Sequence, residues 1–187
     1  MRAAAFLDRD GTLIEETGYL ARLEDLRFFP YSVDAVRLLN RSGLAVVVVT
    51  NQAGIARGIL DEAFVEQAHR QIAGRLAAGG AHVDGFYYCP HHPDGIVERF
   101  RGSCECRKPQ PGLLRRAAED LDVDLTQSFV VGDRWHDIQA GASVGARGVL
   151  VRTGYGRSTE ASPPGGVQPA AVVDTLIGAV SWILQAR

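Results

Sequence analysis

Short apolar runs alternate with amphipathic segments along most of this chain. Ala3-Ala4-Ala5-Phe6-Leu7 is unbroken and passes at once into Asp8-Arg9-Asp10-Gly11-Thr12. Leu44-Ala45-Val46-Val47-Val48-Val49 is continuous and β-branched. Runs of this length ending in charge or glycine predict strands buried on both faces of a parallel sheet. Residues 83–89, 129–132 and 148–151 predict three more strands, and 171–173 a final edge strand. Helices are predicted over 31–42, where Val33, Val36, Leu38 and Leu39 recur ahead of Gly43, over 61–78 ahead of Gly79-Gly80, and over 111–121. A helix after Arg134 is expected to turn Ile138, Ala142 and Val144 inward. Another, capped by Asp174, is expected to carry Leu176, Ile177, Val180 and Leu184 on one side. Residues 14–30 read as an excursion over the strand ends, and 154–169, rich in Gly, Pro and Ser, as a loop or linker. Alternation of strand and helix predicts an α/β protein built on a doubly wound parallel sheet.

The remaining composition narrows the class. At 187 residues the chain suits one domain, 1–187, with a core that needs no staples. A net charge of −2 gives no sign of nucleic-acid or membrane affinity, and no apolar run approaches the length of a membrane span. The N-terminus does not read as a signal peptide. Three cysteines, an odd number, argue against a disulfide framework and for a reducing compartment, so a cytoplasmic protein is expected.

Candidate chemistry gathers where strands end, which is where open α/β sheets bind ligands. Asp8 and Asp10 would repel one another unless a cation sits between them or one carries a proton; a plain turn at Asp10-Gly11 is the alternative. Thr50-Asn51-Gln52-Ala53-Gly54 offers side-chain and backbone donors to an anion, or an ordinary strand-to-helix turn. Phe129-Val130-Val131-Gly132-Asp133 repeats the opening pattern and continues to Asp137. There Asp133 could cap the helix and Asp137 could be a surface acid.

All three cysteines fall in one stretch, Cys89-Pro90-His91-His92 and Cys104-Glu105-Cys106. Cys89, His91, Cys104 and Cys106 supply the four ligands of a structural zinc site, within a loop spanning 89–108. His92 could replace His91, although alternation along an extended segment puts Cys89 and His91 on one side. The zinc would pin a loop without a core of its own and deliver Lys108 to the strand ends. Carboxylates for a hard, oxygen-preferring Mg²⁺, with a hydroxyl and a lysine for phosphate, specify phosphoryl transfer by a carboxylate nucleophile.

Asp-x-Asp-Gly-Thr at 8–12, Thr50-Asn51 at a strand end, Lys108-Pro109 and Gly132-Asp133-x-x-x-Asp137 occur in the order of the four motifs of the haloacid dehalogenase superfamily of phosphatases, which this chain resembles. The Cys-Pro-His-His-Pro and Cys-x-Cys-Arg-Lys-Pro segments resemble its zinc-bearing, histidinol-phosphatase-like branch, which lacks a large cap domain. The resemblance implies a Mg²⁺-dependent phosphatase with an aspartyl-phosphate intermediate. Its expected substrate is a heptose 1,7-bisphosphate cleaved at C7, with histidinol phosphate or another small sugar phosphate as the alternative. By motif, Asp8 is the nucleophile, Asp10 the general acid and base, and Thr50 and Lys108 the holders of the phosphoryl oxygens. Mg²⁺ falls to Asp8, the Asp10 carbonyl and Asp133. Substrate contacts fall to Glu16, Gly18, Tyr19, Asn51, Gln52, Arg107 and Arg134. Glu16 stands where the family commonly has aspartate and Arg134 where it usually has lysine. A monomer acting on a small phosphorylated sugar is expected. A non-catalytic, zinc-braced phosphate-binding module would instead predict loss of Asp8 or Asp10, and both are present.

Overall fold

Each apolar run becomes a strand whose alternate residues feed different layers. The computed structural model describes residues 1–187 and contains β1 (Ala4–Leu7), β2 (Ala45–Asn51), β3 (Gly85–Cys89), β4 (Phe129–Gly132), β5 (Arg147–Val151) and β6 (Ala171–Val173). They form one six-stranded sheet in the order β3-β2-β1-β4-β5-β6, with every pairing parallel. Ala5, Leu7, Val46, Val48, Phe129 and Val131 enter one buried cluster. Their neighbours Ala4, Phe6, Ala45, Val47, Val49 and Val130 enter the other. Burial on both faces is why these strands read as unbroken apolar runs.

Helices α1 (Ser32–Arg41), α3 (Glu62–Ala78) and α7 (Leu176–Gln185) cover the first face; α4 (Gly112–Leu121) and α5 (Trp135–Ala142) cover the second. A four-residue helix, α2 (Ala53–Ala56), follows β2. The Asp61 side chain accepts from the Phe64 N–H and starts α3, satisfying one of its free amides. Residues 14–30 are irregular apart from a turn of 3₁₀ helix at Leu23–Asp25, and bury Leu20, Leu26 and Phe28 in the first cluster. No helix is long and apolar enough to cross a membrane.

Several details depart from the sequence pattern. Residues 154–169 contain a short helix, α6 (Gly156–Glu160), tied to the sheet by Arg152, whose Nη2 and Nε donate to Glu160 at 2.7 and 2.6 Å. Helix α7 is capped by Thr175, whose hydroxyl accepts from Gly178, and buries Ile183 while Leu184 stays 37% exposed. Helix α5 buries Ile138, Ala140 and Gly141 against β4 and β5; Ala142 is exposed, and Val144 lies past the helix end, half-buried. In each helix the packing partner selects one of two adjacent rows that helical spacing alone leaves equivalent.

Register sets the site. Leu7 pairs with both Val48 and Val131, so Asp8 emerges level with Val49 and Gly132. Asn51 pairs with Cys89, which places the first cysteine beside the end of β2. Strand order reverses across β1 and β4, and the crevice there opens at the carboxyl ends of the strands.

Candidate active site

Lys108 is the electrostatic centre of that crevice. It is 3% exposed, and its Nζ lies 2.9 Å from Asp8 Oδ1, 2.6 Å from Asp137 Oδ1 and 2.7 Å from the Val49 carbonyl oxygen. Burial alone would lower its pKa, but Asp137 and Asp8 outweigh burial and hold it above the ordinary lysine range. Asn51 fixes the backbone beneath it: its amide donates to the Lys108 carbonyl at 2.9 Å and accepts the Lys108 N–H at 3.0 Å.

The carboxylates crowd the opposite side. Asp8 is pushed well above the usual carboxylate range, chiefly by burial, with Lys108 opposing and Asp137, Asp133 and Asp10 adding to the rise. Its Oδ1 also accepts the Arg9 N–H at 2.8 Å. Asp133 is pushed up to about 7, first by burial and then by Asp137. It does not cap α5; its Oδ2 accepts the Tyr155 N–H at 2.7 Å, and the N-cap is Arg134, with the Asp137 carboxylate accepting its N–H at 3.1 Å. Asp137 is therefore a buried member of the site, not a surface acid.

Oxygen atoms of Asp8, Asp133 and Asp137 lie within 4.8 Å of one another. Asp133 Oδ1 is buried with no hydrogen-bond partner, a lone pair left for a donor or cation. Two glycines clear the space beside it. A Cβ on Gly11 would come 2.3 Å from Asp133 Oδ2, and one on Gly154 2.2 Å from the same atom. Both glycines have positive φ, so side chains are disfavoured there on two counts. A hard divalent cation with oxygen ligands fits this set.

Every substrate residue expected from the motifs, Glu16, Gly18, Tyr19, Asn51, Gln52, Arg107 and Arg134, lines one cleft of about 310 Å³, together with Asp8, Asp10, Thr50 and Lys108. Glu16 Oε1 accepts the Gly18 N–H at 2.6 Å, and burial raises its pKa. Gln52 Nε2 donates to Thr50 Oγ1 at 2.9 Å and to Asp10 Oδ2 at 3.1 Å. Arg9, which the motif pattern does not mark, is 1% exposed. Its Nε and Nη2 donate to the two Asp10 oxygens at 3.1 Å each, and Nη2 donates to Gln52 Oε1 at 3.0 Å. The signal was present: two acids at i and i+2 need a counter-charge, and the arginine between them is the nearest one. Arg57, His92, His136 and Tyr155 also line the cleft without having been singled out as substrate contacts.

The cysteine cluster forms beside this cleft. Cys89 Sγ lies 3.5 Å from Cys104 Sγ and 3.8 Å from His91 Nδ1; Cys106 Sγ lies 3.3 Å from Cys104 Sγ and 3.4 Å from His91 Nδ1. A tetrahedral zinc with sulfur at about 2.3 Å separates its ligand atoms by about 3.7 Å, so the four donors match its edges. The surrounding thiols, Cys89 foremost, draw Cys106 down to about 5, while Cys106 and burial push Cys89 up in return. All three cysteines are free, and His91, not His92, completes the set.

A family model described as HAD-hydrolase-like matches residues 105–179. The D-glycero-beta-D-manno-heptose-1,7-bisphosphate 7-phosphatase of Photorhabdus laumondii is 48% identical over 160 residues, covering 84% of this chain and 85% of that protein. The Escherichia coli K12 phosphatase of the same name is also 48% identical, covering 84% and 83%. Among solved structures, the D,D-heptose 1,7-bisphosphate phosphatase from B. bronchiseptica, complexed with magnesium and phosphate, has a TM-score of 0.87 and 35% identity over 100% of both chains.

Two outcomes follow from the charges. An unfolded aspartate titrates at about 3.9, whereas burial and Asp137 push folded Asp133 up to about 7. Between those values the folded state holds more protons, so this group makes metal-free protein lose stability as pH rises from about 4 to about 7. Urea unfolding in chelator across that range should show the loss, with a shallower slope in Asp133→Asn. For the thiol cluster, metal analysis of protein purified without added zinc should find about one zinc per chain. Cys104→Ser should lower both zinc content and melting temperature.

Proposed function

We propose a function from one premise: this chain belongs to the D-glycero-beta-D-manno-heptose-1,7-bisphosphate 7-phosphatase family of HAD-like hydrolases. It is a phosphoric monoester hydrolase that removes the C7 phosphate of D-glycero-D-manno-heptose 1,7-bisphosphate, a step of nucleotide-activated heptose biosynthesis. The observation that carries this reading is the Asp8–Lys108–Asp137 cluster at the strand ends, opening into a cleft that also holds Arg57, Arg107 and Arg134. A nucleophile beside a buried ammonium suits the transferred phosphoryl group, and the Arg107 guanidinium suits a second phosphate. The chain acts as a single phosphatase domain, with residues 89–108 as its zinc loop.

Asp8 attacks phosphorus as the bond to the C7 oxygen breaks, giving an aspartyl phosphate. Its Oδ1 is held by the Arg9 N–H and Lys108, which leaves Oδ2 without a protein donor and available for attack. The Lys108 charge and the Thr50 hydroxyl face the phosphoryl oxygens, where negative charge must be met in the transition state. Asp10 protonates the leaving sugar oxygen and then takes a proton from the water that cleaves the acyl phosphate. Arg9 and Gln52 fix the direction of the Asp10 carboxyl through three hydrogen bonds. Asp8, Asp133 and the Asp10 carbonyl would hold Mg²⁺, whose positive charge would keep Asp8 and Asp133 ionised and offset the charge of the phosphate. Glu16, Gly18, Tyr19, Asn51, Gln52 and Arg134 line the path of the sugar.

Specificity rests on Arg107. Its Nη1 donates to the His91 carbonyl at 3.2 Å, which ties it to the zinc loop beside Lys108. A planar guanidinium accepts a second phosphate bidentately, whereas the cationic far end of histidinol phosphate is repelled by it.

Asp8→Asn should abolish phosphate release, because an amide neither attacks phosphorus nor carries the charge a metal needs. Asp10→Asn should slow turnover by about 10²–10⁴-fold, the usual worth of general acid–base catalysis. Turnover by Asp8→Asn at the wild-type rate would contradict the covalent route. With purified substrates, kcat/KM for heptose 1,7-bisphosphate should stand well above that for histidinol phosphate. Arg107→Ala should shrink that gap by roughly 1.5–3 kcal/mol, the scale of a charge-assisted hydrogen bond. An unchanged ratio would remove the physical basis of the heptose assignment.

A further inference from the structure

We propose that His92 and Arg57 join Arg107 to seat the phosphate that is not hydrolysed. This assignment rests on the bisphosphate reading above and names the residues that meet the far end of that substrate. It begins with the His92 ring. Nδ1 accepts the Asp94 N–H at 3.1 Å. A neutral imidazole has one acceptor and one donor nitrogen, so Nε2 carries the hydrogen. Nε2 lies 3.4 Å from Arg57 Nη2, and a guanidinium nitrogen is only ever a donor. Two donors therefore converge with no acceptor between them. The nearby carboxylate, Asp94, does not resolve this: it is on the Nδ1 side of the ring, 3.9 Å from that atom, and its side chain is 84% exposed. An anionic oxygen that accepts from both groups does resolve it.

The pairing is built into the fold. The His92 N–H donates to the Phe100 carbonyl at 3.1 Å, and the Gly102 N–H donates to the His92 carbonyl at 3.2 Å. The Ile96 and Val97 amides both donate to the Ala56 carbonyl, at 2.8 and 2.9 Å, fastening this loop to the residue before Arg57. Gly95 permits the approach, since a Cβ there would stand 2.9 Å from Ala56 Cβ and 3.0 Å from its carbonyl oxygen. Arg107 is anchored on the His91 carbonyl, one residue before His92. Three donor side chains, one from the turn after α2 and two from the zinc loop, thus line the same cleft. A terminal phosphate has three oxygens, enough for all of them. The histidine beside the zinc ligand is then a recognition group, with the zinc loop as its mount.

Steady-state kinetics on heptose 1,7-bisphosphate and heptose 7-phosphate test this, with inhibition by heptose 1-phosphate, the product that keeps the far phosphate. Arg57→Gln and His92→Phe should each lower the bisphosphate-to-monophosphate ratio of kcat/KM by about tenfold or more, mainly through KM, and weaken product inhibition in step. His92→Gln, which still offers an N–H, should retain part of the ratio. Zinc content is measured on each variant, and Arg57→Gln, remote from the zinc ligands in sequence, decides the matter if a His92 variant loses metal. Wild-type ratios and wild-type product inhibition in zinc-replete Arg57→Gln and His92→Phe would overturn the assignment. A wild-type enzyme with no preference for the bisphosphate would overturn it together with the substrate reading.

Discussion

A buried ammonium among buried carboxylates is the constraint on which this site depends. Lys108 is nearly inaccessible, and two of its three partners are the carboxylates of Asp8 and Asp137. Removing such charges from water is costly unless each finds an opposite charge or a hydrogen bond. The third partner, the Val49 carbonyl, belongs to the central strand beside β1, so the lysine also links two strand ends. One positive group is too few for the acids around it. Asp133 keeps an oxygen without a partner and titrates high for a carboxylate. That deficit is the physical argument for a cation.

The placement of Lys108 is decided at a distance from its own charge. Its backbone is held on both sides by the Asn51 amide, at the end of β2. Register sets Asn51 against Cys89, the first thiol of the four-donor cluster. The sheet edge, the four-donor loop and the buried lysine are therefore one continuous chain of contacts. Asn51 lines the cleft, yet its amide is committed to this clamp on the Lys108 backbone.

Much of this was legible in the sequence, and the omissions have a common physical cause. Strands buried on both faces write themselves as unbroken runs, and acids or hydroxyls at their ends mark the crevice. The thiols were legible because all three fall in one stretch. Arg9 was not, because a charged residue between two acids reads as a spacer until its burial is seen. The local pattern offers His92 only as a substitute ligand for His91, since nothing in it tells which way the ring points. Arg57 lies in a turn whose partner loop is distant in sequence. Helical spacing points to Ala142 and Leu184, one position from the buried Gly141 and Ile183, because spacing fixes a stripe and only the packed sheet chooses its centre. The helix at Gly156–Glu160 forms within a glycine- and proline-rich stretch and is tethered by Arg152, a residue outside it.

The amide clamp on Lys108 also bears on how such a scaffold can change. The proposed bond-breaking groups follow the ends of β1 and β4, while the proposed recognition groups His92 and Arg107 ride on a loop whose two ends are gathered by the thiol cluster and whose exit is pinned by Asn51. Residues between His92 and Cys104 can therefore be lengthened, shortened or replaced with little displacement of the ammonium group. Recognition is free to drift under selection while the reaction centre stays in register. A family built this way can acquire new substrates by editing one loop, and the same segment is where a protein engineer would begin.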